Sequence, residues 1–118
     1  MVQPFMSGIV HEGEFSLFYF SGTYSHAILK TPKPHDFRVQ EEHGGRIRAT
    51  EPTQELLAAG AKVIQLLDAE LLYARVDFVS DEDELVLMEL ELIEPSLYLR
   101  MNDSAPARFA AAINTWLA

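Results

Sequence analysis

Two charged groups interrupt apolar, strand-like segments in the C-terminal third of the chain. Arg75 and Asp77 lie in one segment, and Glu89 and Glu91 lie in the next. Because strand side chains alternate between faces, the two charges of each group share one face of a strand. Charges on a half-buried strand face are costly unless they are paired. The fold must therefore give these four side chains partners, and a divalent cation carrying a polyphosphate would do so.

An acidic segment at residues 80–84 (SDEDE) separates the two groups and predicts the tip of a hairpin. If Asp77 lies opposite Glu89, then Arg75 lies opposite Glu91, and all four charges project from one face of an antiparallel pair. This register needs an odd-length connection, such as a three-residue loop with a bulge. A slip of one residue would place Asp77 opposite Met88. The alternative interpretation is an acidic hairpin that faces solvent.

The composition narrows the class of protein. A chain of 118 residues can form one domain with one core. A formal net charge of −9 argues against nonspecific binding to nucleic acid or to an anionic membrane. The absence of cysteine excludes disulfides, thiolate nucleophiles and cysteine-ligated zinc, and it suits a cytoplasmic protein. No apolar run approaches the roughly 20 residues of a membrane-spanning helix.

Hydrophobic periodicity predicts the element order β-β-β-α-β-β-α. We expect strands at residues 14–20, 24–30, 37–40, 72–79 and 85–93. The first helix opens at residues 50–52, with Pro52 in its first turn. Its apolar stripe consists of Leu56, Leu57, Gly60, Val63, Ile64 and Leu67, where Gly60 allows close packing.

The second helix is capped by Asp103 or Ser104 and has Pro106 in its first turn. Its predicted apolar face consists of Phe109, Ile113, Trp116 and Leu117. Hairpins separated by helices indicate an α+β fold with a mainly antiparallel sheet and two main helices.

Six short stretches of the chain follow one another in an order and at a spacing found together in one family. They are VQPFM (2–6), GEFSLFYFSG (13–22), HAILK (26–30), DFRVQEEHGG (36–45), ARVDFV (74–79) and ELELIEPS (89–96). This pattern resembles the C-terminal half of the ATP-grasp fold. The similar carboxylate–amine ligases are glutathione-synthetase-like, ribosomal-S6-modification-like and cycloserine-ligase-like.

The resemblance implies ATP and Mg²⁺ (or Mn²⁺) as cofactors. Asp77 and Glu89 match positions that ligate the metal in this family, and Glu91 matches a third ligand position that is often asparagine. A few carboxylates together with substrate phosphates are the ligands that Mg²⁺ prefers. Arg75 matches an arginine near the phosphates.

The resemblance also implies the nucleotide contacts. Lys30 matches a basic residue that reaches the terminal phosphates, and Glu14 matches an acid that hydrogen-bonds the ribose. Residues 3–6 match a hinge beside the adenine edge, where Gln3, Phe5 and Met6 would act mainly through their main chain. Without the resemblance, Lys30 is most simply interpreted as a solvated strand end, and Glu14 is equally an ordinary strand start.

On the acceptor side of the site, Arg38 and the loop of Gly44, Gly45 and Arg46 match groups that hold the acid substrate and its acyl phosphate in relatives. A glycine-rich turn lets backbone N–H groups approach an anion, and arginine offers a planar fork for it. A Gly-Gly turn alone is weak evidence for a binding loop, and an ordinary surface turn is its default interpretation.

The implied reaction is ATP-dependent ligation of a small carboxylate to an amine through an acyl phosphate. Such ligases run to roughly 300 residues or about two domains. We therefore expect residues 1–118 to be a single C-terminal ATP-binding lobe, a fragment without its N-terminal domain and small lobe, and inactive alone. Without the missing lobe, an apolar surface that includes Phe5, Phe18 and Phe20 would be exposed, and such a surface favours a homo-oligomer.

Two other functions stay open at this point. A stand-alone noncatalytic domain of the same fold could use its exposed sheet for protein association. A small acidic module could instead hold a structural Ca²⁺ ion, although the chain has no loop of the EF-hand type. Neither alternative involves a nucleic acid or a membrane.

Overall fold

A computed structural model of the chain describes residues 13–31, 46–67, 70–81, 84–92 and 95–117. The strands are β1 (Glu14–Phe20), β2 (Thr23–Thr31), β3 (Arg46–Ala49), β4 (Tyr73–Asp81) and β5 (Glu84–Glu91). The helices are α1 (Gln54–Leu66), a short 3-10 turn (Leu99–Met101) and α2 (Ala105–Leu117). Neither 13-residue helix, nor any other helix in these ranges, is long and apolar enough to cross a membrane.

The five described strands form one antiparallel sheet in the order β3-β2-β1-β4-β5. The predicted α+β class with two main helices is confirmed. Strand β3 was not predicted, because the sequence suggested a loop there; the predicted strand at 37–40 lies outside the described residues. Strand β1 has the predicted bounds, and the ends of β2, β4 and β5 differ from the prediction by one or two residues.

One face of the sheet packs against α1 and forms the apolar core. Leu17 and Tyr19 of β1 and Val76 and Phe78 of β4 are buried on this face. They lie at alternate positions, as strand geometry requires. Burying a large apolar side chain contributes about 1.5–3 kcal/mol, so this face supplies much of the stability of the fold.

Helix α1 begins at a capped position and lies close to the sheet. The Thr53 side chain accepts a hydrogen bond from the Leu56 backbone N–H at 3.1 Å, which makes Thr53 the N-cap. Pro52 therefore precedes the helix, and the prediction that it lies in the first turn was wrong. A Cβ atom on Gly60 would lie 2.1 Å from Tyr19 Oη, so the predicted close packing at Gly60 is confirmed.

Helix α2 covers an aromatic cluster on the opposite face. The rings of Phe20 and Phe109 lie 4.9 Å apart, and His26 stacks on Phe18 at 4.4 Å. Phe18 and Phe20 are buried. The prediction that these two side chains form an exposed surface for self-association was wrong, because Phe109 of α2 packs on Phe20, and His26 and Tyr98 pack on Phe18. Phe5 lies outside the described residues.

The buried stripe of α2 differs from the predicted one. Pro106 does lie in the first turn, but the most buried residues are Ala105 and Ala112. Small side chains let the helix approach the aromatic cluster, where Phe109 contacts Phe20 and Tyr73. Phe109 and Ile113 of the predicted face are half-buried. Trp116 and Leu117 at the last turn are 47% and 77% exposed, and their assignment to the buried face was wrong.

We predict that Gly60→Ala lowers the free energy of unfolding, although alanine is the better helix former by about 1 kcal/mol. The added Cβ would meet the Tyr19 hydroxyl, and Leu17 Cδ2 at 3.0 Å is the next obstacle. Urea denaturation of Gly60→Ala with and without Tyr19→Phe measures the coupling, and Tyr19→Phe should recover part of the loss. A stabilised Gly60→Ala single variant would contradict this packing.

We predict that His26 makes stability depend on pH. Burial, with the charge of Arg108, lowers its pKa from 6.5, although the bond to the Leu97 carbonyl at 2.9 Å opposes this. The unfolded chain therefore binds more protons just below pH 6.5, and the free energy of unfolding should fall as the pH drops through that range.

The comparison variant is His26→Gln, which keeps a donor for the Leu97 carbonyl and does not titrate. The other three histidines of the chain are unchanged in it. The pH profile of the parent minus that of the variant therefore reports His26 alone. A flat difference between pH 5 and pH 7 would sink the assignment.

Candidate functional site

Charged side chains gather on the sheet face opposite α1, at the end where β1 begins and β2 ends. The register places Glu14 opposite Lys30 and Arg75 opposite Glu91. Asp77 lies opposite Glu89, so the predicted hairpin register is confirmed. We call these residues the charged cluster: Glu14, Lys30, Arg75, Asp77, Glu89 and Glu91.

The odd residue that this register requires lies in β5 rather than in the connection. Asp77 pairs with Glu89 but Phe78 pairs with Leu87, which leaves Met88 as the extra residue of a β-bulge. The strands continue to Asp81 and Glu84, so two residues connect them where a three-residue loop was predicted.

Arg75 joins the carboxylates of the cluster. Its Nε and Nη2 atoms donate to the two oxygens of Asp77 at 3.1 and 2.9 Å, a bidentate arrangement. Its Nη1 atom lies 2.9 Å from Glu91 Oε2, and its Nη2 atom lies 3.9 Å from Glu89 Oε2. Glu91 Oε2 has no hydrogen-bond partner among the described residues, so its contact with Arg75 is an ion pair without hydrogen-bond geometry.

A second ion pair lies beside the first. Lys30 Nζ is 3.2 Å from Glu14 Oε1, and both side chains are largely buried. Gly13 has φ +92°, and a Cβ there would lie 2.2 Å from the Lys30 carbonyl oxygen. This close approach requires glycine, and it brings the start of β1 against the end of β2, so that Glu14 and Lys30 meet.

The acids outnumber the bases in the cluster. Four carboxylates face two cations, which gives a formal charge of −2. Burial, followed by the charge of Asp77, raises the pKa of Glu14. Burial also raises the pKa of Glu91; Arg75 opposes this shift, and Glu89 reinforces it. The positive charges of the cluster therefore do not fully balance the negative charges of Glu14 and Glu91.

The opposite effect acts on Arg75. Burial would lower its pKa, but hydrogen bonds and charges from Asp77, with the charges of Glu91 and Glu89, outweigh burial and raise it. Arg75 is thus a permanent cation, and Asp77, which is 0% exposed, depends on it for neutralisation.

The donor set suits a divalent cation. Asp77, Glu89 and Glu91 offer hard oxygen ligands, and the excess charge of −2 matches such an ion. Within the described ranges, however, no three acidic or histidine side chains already surround one point. Arg75 already donates to both oxygens of Asp77. A cation would therefore use a remaining lone pair of one oxygen or displace one of the two bonds from Arg75.

The structure brings together six of the predicted site residues, the members of the charged cluster. Arg46 lies in β3 opposite Thr31, next to Lys30, and its side chain is exposed. Strand alternation places Arg46 on the other face of the sheet from Lys30. The remaining predicted residues, Gln3, Phe5, Met6, Arg38, Gly44 and Gly45, lie outside the described residues.

Sequence reasoning missed one polar residue of this face. Ser16 lies opposite Asp77 in the register and is 0% exposed. Its hydroxyl has no hydrogen-bond partner among the described residues. The signal that could have found it is the alternation that places Ser16 on the same face of β1 as Glu14.

No family model matches the chain. In sequence, the chain is 32% identical over 121 residues to the cycloserine biosynthesis protein DcsG of Streptomyces lavendulae. The match covers 96% of this chain but 40% of that protein, so the chain spans less than half the length of this relative.

Solved structures agree with the sequence comparison. The crystal structure of D-cycloserine synthetase DcsG matches with a TM-score of 0.80 and 29% identity, over 98% of this chain and 42% of that one. ATP-grasp ligase PsnB, in a complex with a precursor variant, Mg and ADP, matches with a TM-score of 0.62 and 17% identity, over 86% of this chain and 32% of that one.

D-alanine–D-alanine ligase from Bacillus anthracis, complexed with ATP, matches with a TM-score of 0.59 and 19% identity, over 86% of this chain and 35% of that one. The identities to PsnB and to this ligase are low, so these two structures support the fold alone.

We predict that Arg75→Met destabilises the fold by about 3–5 kcal/mol, because it leaves the buried Asp77 carboxylate without its cation. The double variant Arg75→Met, Asp77→Leu removes both charges and should recover most of that loss. Glu89→Gln changes a carboxylate that is 54% exposed and serves as a control with a small effect. Chemical denaturation measures all three, and a mild Arg75→Met phenotype would contradict the central role of this pair.

Proposed function

We propose, on the premise that this chain is a relative of the ATP-grasp ligases, that it forms the ATP- and Mg²⁺-binding lobe of an ATP-dependent carboxylate–amine ligase. The observation that carries the proposal is the charged cluster, in which three carboxylates on neighbouring strands exceed the charge that Arg75 can balance. The chain spans 40% of the length of DcsG, so ligase activity of a protein as long as DcsG is itself part of the proposal.

Asp77, Glu89 and Glu91 would hold Mg²⁺ or Mn²⁺ in this proposal. Their oxygen donors and the excess charge of the cluster favour such an ion. When bound, the ion would shield the phosphate charges of ATP and polarise the transferred phosphoryl group. Asp77 supplies the rigid part of the site, since it is fully buried, and the half-exposed Glu89 can turn toward the nucleotide.

Arg75 and Lys30 would neutralise the charge that develops on the phosphates. Arg75 presents a planar fork that fits phosphate oxygens once it has released Asp77. Lys30 is a compact cation on the adjacent strand pair, oriented by Glu14 at 3.2 Å. Cations in a partly buried site stabilise developing charge, which is the catalytic contribution we assign to both residues.

Glu14 would also accept hydrogen bonds from the ribose.

The proposed reaction starts with attack of a substrate carboxylate oxygen on the γ-phosphorus, which releases ADP and forms an acyl phosphate. An amine then attacks the acyl carbon, and inorganic phosphate leaves. The chain needs no covalent link to substrate for either step, so positioning and charge neutralisation suffice.

We predict that Asp77→Asn with Glu89→Gln abolishes Mg²⁺-dependent binding of ATP and preserves the fold. Amides remain oxygen donors but remove two of the charges that attract the cation. The matched control is Glu84→Gln, an exposed acid at the tip of the same hairpin, outside the charged cluster.

Calorimetric titration of ATP with and without Mg²⁺ measures the effect, and circular dichroism checks the fold. Equal Mg²⁺-dependent binding by the double variant and the Glu84→Gln control would contradict the metal assignment. Loss of binding in both would show that net charge matters and not these positions.

A further inference from the structure

We propose that Ser16 is a positioning residue for the cation site, and that its hydroxyl holds the Asp77 carboxylate when Arg75 no longer does. This inference rests on the proposed function, because it concerns a cation bound at Asp77. It assigns a role to a residue that lies outside the charged cluster and that the sequence patterns did not single out.

The first observation is that the Ser16 hydroxyl is buried without a partner. Ser16 is 0% exposed, and its Oγ atom has no hydrogen bond to any described residue. The neighbouring buried polar groups do have partners: Asp77 accepts two bonds from Arg75, and Lys30 pairs with Glu14. An unpaired buried hydroxyl costs about 1–3 kcal/mol, whereas alanine at the same position would not incur this cost.

The second observation is the position of Ser16. It lies in β1, between β2 and β4, directly opposite Asp77 and two residues after Glu14 on the same face. Side chains directly opposite one another on adjacent antiparallel strands have Cβ atoms about 4.5–5.5 Å apart. A serine hydroxyl rotates freely, so it can donate to a carboxylate oxygen that turns toward it.

The third step concerns what cation binding would do to Asp77. Both of its oxygens are now engaged by Arg75. A cation that displaces Arg75 opens this bidentate arrangement, and the freed lone pairs of the carboxylate can then accept a new donor. Carboxylates that ligate metals are usually held by such outer hydrogen bonds, and loss of the outer partner typically weakens metal affinity about 10–100-fold.

Ser16 fits that role because its hydroxyl is unpaired in one state and would be paired in the other. The cost of the unpaired hydroxyl falls on the cation-free state, and the new hydrogen bond stabilises the cation-bound state. Both effects favour binding. Tyr19 offers a useful contrast: its hydroxyl is also buried without a partner among the described residues, but it lies under Gly60 on the opposite face of the sheet.

The test uses the full 118-residue chain with Mn²⁺ as the probe, alone and with ATP. Electron paramagnetic resonance measures free Mn²⁺ and gives the dissociation constant. We expect Ser16→Ala to weaken Mn²⁺ binding about 10–100-fold. Without the metal, its free energy of unfolding should equal or exceed that of the parent, since the unpaired hydroxyl is gone.

Two further variants separate positioning from general damage. Tyr19→Phe removes the other unpaired hydroxyl and should leave Mn²⁺ affinity unchanged. Ser16→Thr keeps the hydroxyl and should restore most of the affinity that Ser16→Ala loses, even if its extra methyl lowers stability.

Unchanged Mn²⁺ affinity in Ser16→Ala would overturn the assignment while leaving the proposed metal site intact. An equal loss of affinity in Tyr19→Phe would also overturn it, because the effect would then not depend on position. If the parent chain and Asp77→Asn bind Mn²⁺ equally, or neither binds it, the proposed metal site fails and the role of Ser16 fails with it.

Discussion

The bidentate bond between Arg75 and Asp77 is the interaction on which the polar face of the sheet depends. Both side chains project from β4, whose buried middle pairs with β1 on one side and β5 on the other. Without Arg75, Asp77 would be an isolated buried charge, and the sheet could not tolerate it at that position. With Arg75 in place, two more carboxylates can approach from β5, because the guanidinium has donors to spare.

The two faces of the sheet divide the work between stability and chemistry. The face under α1 is apolar at every buried position of β1 and β4, and it holds the fold together. The other face is itself divided, with the aromatic cluster under α2 at one end and the charged cluster at the other. The apolar face and the aromatic end can therefore support a site whose charges are poorly balanced and whose Ser16 hydroxyl has no partner in the described part of the chain.

The features that could be predicted from the sequence are those for which any other arrangement would be energetically costly. The register of β4 against β5 could be predicted, because any slip would leave charges unpaired in an apolar strand. The bulge at Met88 could not, because a longer connection satisfies the same register. Strand β3 was missed because its alternating charged and apolar residues, Arg46 to Ala49, form only a short run and follow a Gly-Gly turn, which suggested a loop.

Features that depend on tertiary contacts were also beyond the sequence. The burial of Phe20 follows from where α2 docks, and Phe18 is covered by His26 and Tyr98. The buried stripe of α2 consists largely of alanines, which carry little pattern signal. Ser16 was missed for a similar reason. A serine in a strand is unremarkable until the residue across from it is known to be Asp77.

The bulge at Met88 also separates two parts of β5 that would otherwise share an orientation. In an unbroken strand, Leu85, Leu87, Glu89 and Glu91 would all point the same way. The extra residue sends the leucines toward the side of Phe78 and the glutamates toward the side of Asp77. Insertions or deletions of residue pairs at the hairpin tip can thus accumulate during evolution without rotating the glutamates, whereas loss of the single codon for Met88 would exchange inside for outside along half the strand.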